Sequence, residues 1–132
     1  MGRKGYKDLA VWQKAKNLAV MIYRLSDEEW FNHDFGLRDQ IRRSAVSIAS
    51  NLAEGDERST NKDSVRFFYM AKGSLAELRT QVQIASEVGR LQRSAYESID
   101  VECETLAKMI GSLIRVRRRT YNPIPRTPNP QD

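Results

Sequence analysis

The sequence predicts an all-α fold, an up-down-up-down four-helix bundle. Three observations carry the prediction. Apolar residues recur at alternating spacings of three and four along four separate stretches, the beat of a helix with one buried face. No stretch shows the apolar–polar alternation of a half-buried strand. The connections are short, and all four prolines lie after residue 120, so nothing before that point breaks a helix.

The organising element is the second helix, read from Leu37 to Arg58. Leu37, Ile41, Ala45, Ile48 and Leu52 form its main apolar face, and Val46, Ala49 and Ala53 a smaller strip beside it. Gln40, Ser44, Ser47 and Asn51 line the opposite border with short polar groups. An apolar arc this wide implies neighbours on more than one side. Gly55 reads as a C-terminal stop, because glycine takes positive φ without steric cost.

Before it, residues 1–7 read as a basic arm and Asp8 as the N-cap of the first helix. Val11, Ala15, Leu18, Ile22 and Leu25 give that helix a heptad seam, with Leu9, Trp12, Ala19 and Tyr23 on an adjoining strip. The following loop, SDEEWFNHDFG, holds Trp30, Phe31 and Phe35, which are predicted to fold down as a plug over one end of the bundle.

The third helix, expected over 60–90, has the clearest seam: Ser64, Phe68, Ala71, Leu75, Leu78, Val82, Ala85 and Gly89. Thr60 and Asp63 give it a start resembling a capping box. Gly73 in its interior costs about 1 kcal/mol relative to alanine, which a close helix neighbour would justify. A second capping box, Ser94 with Glu97, opens the fourth helix. Tyr96, Ile99, Cys103, Leu106, Ile110, Leu113 and Arg117 carry its seam to about Thr120. The domain is therefore expected over 1–120, and 121–132 as an extended Pro-rich tail.

The 132 residues suit one domain with a real core. Twenty-two basic against 17 acidic side chains leave a net charge of +5, which permits contact with nucleic acid or an anionic surface. No apolar run is long enough to span a membrane. The start MGRKGYK lacks the apolar core of a secretory signal, and Tyr6 stands where a myristoylation site wants Ser or Thr. A cytoplasmic protein is expected.

No enzyme constellation is visible, so no catalytic residue, cofactor or metal is expected. Cys103 is the single cysteine and sits on a core seam, the place of an inert thiol. His33 is the single histidine, in the aromatic loop. There is no Glu-x-x-His pair for a di-iron site, no Cys/His cluster for zinc and no phosphate-binding glycine loop. Glu54 is expected to pair with Arg58 or Arg43, and Asn51 is open between bonding a loop backbone and a ligand role.

The basic residues are the feature that points to a partner. Arg38, Arg42 and Arg43 border the second helix. Lys72, Arg79 and Arg90 form a stripe on the third. Lys108, Arg115, Arg118 and Arg119 line the fourth, while Arg117 points toward its seam. No aromatic residue interleaves with the third-helix stripe, so contact with phosphates is expected in preference to base stacking. The second strips, Val46, Ala49 and Ala53 with Met70, Ile84 and Val88, exceed what one core needs. They are expected to be buried between copies of the chain.

Several runs resemble a known family. Gln40-Ile41-Arg42-Arg43-Ser44, Ser47-Ile48 and Asn51-Leu52-Ala53-Glu54-Gly55 resemble the signature of the four-helix-bundle proteins named after 23S rRNA intervening sequences. Asp8-Leu9-Ala10-Val11-Trp12-Gln13-Lys14-Ala15 looks like that family's first helix. Arg58-Ser59, Phe67-Phe68, Ala71 and Gly73-Ser74-Leu75-Ala76-Glu77-Leu78 look like its third. The chain departs from it at Ala49, where proline is common, and at Asn32 and His33, where proline and glutamate are. The resemblance implies a ring-like homo-oligomer, a homopentamer, akin to the accessory protein of diversity-generating retroelements that binds a reverse transcriptase and nucleic acid. Five copies would carry about +25, and multivalent phosphate contact strengthens accordingly. Two readings follow: a non-enzymatic scaffold that binds RNA or DNA through basic helix faces, and a protein-interaction ring serving a polymerase such as a reverse transcriptase.

Overall fold

The computed structural model describes residues 5–27 and 33–121, with side chains through residue 119. Residues 1–4 of the expected arm, Trp30 and Phe31 of the expected plug, Asn32 of the departures from the family, and 122–132 of the expected tail lie outside the described residues. Four helices follow a short 3-10 turn at Tyr6–Asp8: α1 (Ala10–Ser26), α2 (Phe35–Asp56), α3 (Asn61–Glu87) and α4 (Arg93–Tyr121). Among the described residues there is no strand. α2 packs on α1 and most extensively on α3, and α4 packs on α3 and α1.

The heptad seams fill the centre. Val11, Ala15, Leu18 and Ile22 of α1 meet Ile41, Ala45, Ile48 and Leu52 of α2 in one core. Phe68, Leu75, Leu78 and Val82 of α3 join them, with Ile99, Cys103, Leu106 and Ile110 of α4. Ile114 is buried as well, so the end of the α4 seam passes through it beside half-buried Leu113.

Helix ends differ from expectation at several points. Asp8 belongs to the 3-10 turn and does not cap α1; extended Leu9 stands at the cap with no side-chain bond. The turn persists because Tyr6 packs edge-on against Trp12, 5.1 Å between ring centres. Asp34 caps α2, its carboxylate accepting from Leu37 N–H at 3.1 Å. Phe35 therefore opens α2 and is exposed, so it plugs nothing. Thr60 caps α3 as expected, accepting from Asp63 N–H at 3.2 Å. α4 begins at Arg93, which puts Ser94 inside the helix and bonded to Gln92, not at a cap.

The largest correction concerns glycine. Gly55 lies within α2 and has no positive φ. A Cβ there would sit 2.6 Å from Phe68 Cε1 and 3.0 Å from Phe67 Cβ. Its role is to let α3 approach α2, and Ser64 Oγ–H uses that approach to donate to Gly55 C=O at 2.5 Å. The helix-stopping role falls to Gly89, at φ +78. Gly89 N–H bonds Ser86 C=O at 3.2 Å and Arg90 N–H bonds Ala85 C=O at 2.8 Å, closing the last carbonyls of α3 in a Schellman turn. Gly89 thus leaves the α3 seam and is exposed. Gly73 has nothing within 4 Å of where a Cβ would stand, so no helix of its own chain explains it.

Candidate nucleic-acid and subunit interfaces

The basic faces of α3 and α4 meet at Tyr69. Arg118 donates to the Tyr69 hydroxyl at 3.1 Å across the two helices, and Lys72 Nζ lies 5.9 Å from the same ring. Arg115, bonded to Ser112 Oγ at 3.0 Å, and Arg119 are exposed on the same end of α4. Lys108 lies two to three turns earlier, 3.9 Å from Glu104. Tyr69 was not among the residues singled out from sequence. Its spacing of three before Lys72 was the available signal, since such residues are neighbours on a helix surface.

Arg117 takes a different path. Its guanidinium donates to Asp56 Oδ1 at 2.6 Å and lies 5.4 Å from the Phe68 ring. The pair is well enclosed, with side chains 17% and 3% exposed, and it ties the ends of α2 and α4 together.

The Lys72/Arg79/Arg90 stripe does not stand as one free face. Arg79 bonds Asp100 of α4 at 3.1 Å, and Arg90 approaches Asp34 at 3.9 Å. On α2, Arg42 donates to Ser26 Oγ and to Asp27 Oδ1, both at 2.7 Å. It also stacks 4.6 Å over the Tyr23 ring, which makes it a clamp on the end of α1. Arg38 is held by Asp39 at 3.2 Å and by the Phe35 ring at 4.6 Å. Arg43 is exposed. The acids that engage Arg42, Arg79 and Arg90 come from other elements, so a single-helix projection does not display them.

The short polar residues of α2 form its seam with α3. Ser47 Oγ and Ser74 Oγ are 2.8 Å apart, and Asn51 Nδ2 donates to Ser47 C=O at 2.9 Å and to Ser47 Oγ at 3.1 Å. Asn51 thus bonds within α2 and not to a loop. Arg58 turns to the Phe67 ring at 4.2 Å, while Glu54 is exposed. Cys103 is fully buried, and burial, chiefly, pushes its thiol from 9.0 up to about 12. His33 is exposed. Among the described residues no three His, Cys, Asp or Glu side chains are grouped for a metal ion. No described helix is long and apolar enough to cross a membrane.

Two apolar surfaces remain outside the core. One is an open groove of about 630 Å³ between α1 and α2, lined by Trp12, Ala19, Tyr23, Val46, Ala49 and Ala53 among others. The other is a strip on α3 with Met70 51% exposed, continued by Ile84 and Val88. These surfaces hold all six side chains expected between copies.

A family model for the 23S rRNA-intervening sequence protein matches residues 7–112. The chain belongs to this family. Within the matched stretch, Ser47, Asn51 and Gly55 build the close α2–α3 seam. A crystal structure of a protein of unknown function from the S23 ribosomal protein family of Bacteroides thetaiotaomicron has the same fold, with a TM-score of 0.74 at 24% identity. The match covers 80% of this chain and 99% of that one. No curated protein matches the sequence.

Proposed function

We propose that the protein is a non-enzymatic, cytoplasmic scaffold that binds RNA phosphates through the joined α3/α4 basic face. Its four helices run up, down, up and down, and its copies close into a ring, a homopentamer on the family resemblance. The cross-helix contacts support the topology: Arg79 reaches Asp100 and Tyr69 reaches Arg118, in opposite chain order. The observation that carries the binding reading is the Lys72–Tyr69–Arg118 juxtaposition, with Arg115 and Arg119 exposed beside it. Helix C-termini favour cations through their dipole, but one or two would meet that need. Repeated around a ring, the face would meet several phosphates at once.

The test is a fluorescence-anisotropy titration of a labelled single-stranded RNA across salt concentrations. Wild type should bind at low salt and weaken steeply as salt rises. Changing Arg115, Arg118 and Arg119 together to glutamine should lower affinity and flatten the log–log slope by about 0.7 for each lost phosphate contact. Equal affinity and slope in both proteins would remove this face from the binding surface. No binding by wild type at low salt would overturn the nucleic-acid reading in favour of a protein partner such as a polymerase.

A further inference from the structure

The two apolar surfaces outside the core complement each other residue by residue. On α1 and its C-cap, Lys16, Val20, Tyr23 and Asp27 stand at spacings of four, three and four, so they share one face along the rim of the groove. On α3, Arg66, Met70, Gly73 and Glu77 stand at the same spacings and are all exposed. Laid antiparallel, the two faces place Arg66 opposite Asp27, Met70 opposite Tyr23, Gly73 opposite Val20, and Glu77 opposite Lys16. Glu77 and Lys16 are then attractive, Arg66 shares the exposed Asp27 carboxylate with Arg42 of the same copy as Asp27, and the interior is apolar. Laid parallel, Arg66 would meet Lys16, a like-charge pair, and Glu77 would face Asp27 already engaged by Arg42. Charge therefore selects one orientation.

Gly73 adds an independent argument. Glycine in a helix interior is destabilising, and nothing in its own chain lies within 4 Å of its missing Cβ. The space it leaves is open to the outside, opposite the 39% exposed Val20 in this register. α1 and α3 do not pack on each other within the protomer, so only another copy can bring the faces together. The two faces are different surfaces, so each copy offers one to each of two neighbours, the head-to-tail arrangement from which rings are built when the rotation between copies closes.

We infer that the subunit interface is this antiparallel pairing, with the Arg66–Glu77 face of α3 seated on the Lys16–Asp27 face of α1, beside the α1/α2 groove, of the next copy. The inference rests on the assembly proposed above and names its contacts. Light scattering on the full chain at micromolar concentration tests it, with circular dichroism confirming that each variant remains helical. Wild type should have a multiple of the monomer mass. Lys16→Glu alone and Glu77→Lys alone should each lower the mass, and the double reversal should restore it. As a second readout, oxidised Val20→Cys/Gly73→Cys protein should form covalent multimers that reducing agent dissolves. An assembled wild type whose single reversals keep full mass, whose double reversal fails to recover, or whose cysteine pair does not cross-link would overturn this pairing while leaving the assembly standing. A monomeric wild type would overturn both.

Discussion

At the residue scale, the sharpest constraint is Gly55. Its identity follows from the closeness of Phe67 and Phe68 and not from backbone freedom. Phe68 is fully buried in the core, so its ring has little room to yield. Gly55→Ala should therefore destabilise the protein by about 1–3 kcal/mol despite the better helix propensity of alanine; chemical denaturation followed by circular dichroism checks this. Cys103 should react with thiol reagents only as the chain unfolds, because the thiolate is the nucleophile and burial disfavours it. The folded thiol is held protonated up to about 12, whereas in an unfolded chain it ionises from its ordinary value of 9.0. Its contribution to stability is thus complete below the lower value and is lost toward the higher one. Relative to Cys103→Ala, wild type should lose stability across that alkaline window, measured by denaturation at a series of pH values.

At the element scale, the ties between helix ends separate structural from solvent-facing arginines. Arg117 holds Asp56, whose side chain is nearly enclosed, so removing the guanidinium takes a charge-assisted hydrogen bond from a buried carboxylate. Arg117→Gln should cost about 1–3 kcal/mol. Arg118→Gln, losing an exposed bond to Tyr69, should stay within about 0.5 kcal/mol of wild type. Thermal melts of the two variants side by side make the comparison. The two arginines are adjacent in sequence and differ by about 100° around the helix, which alone assigns them to different tasks.

At the scale of the whole molecule, the net charge of +5 is a poor guide to where a polyanion would sit. Much of the basic inventory is engaged within the chain: Arg42 with Asp27, Arg79 with Asp100, Arg117 with Asp56. Four exposed cations, Lys72, Arg115, Arg118 and Arg119, gather where α4 ends beside the first half of α3, while others such as Arg24, Arg43 and Lys62 are exposed elsewhere. The apolar remainder lies elsewhere, in the α1/α2 groove and on the α3 strip. In the proposed assembly the apolar surfaces would form the ring and leave the basic one facing solvent.

The sequence by itself determined the four helices, their seams and the Thr60 cap, because helical periodicity and capping act over a few residues of one chain segment. It also carried the family signature and the surplus apolar strips. Tertiary structure decided what those residues do. Gly55 resembles a helix stop until Phe68 is placed beside it, and Gly89 becomes the stop because the turn after α3 needs its positive φ. Ser47 and Asn51 become seam residues once Ser74 faces them. Arg42, Arg79 and Arg117 leave the candidate surface or stay off it because their acidic partners are 15, 21 and 61 residues away. Side-chain partners at such separations depend on how helices cross, which no single-helix period encodes.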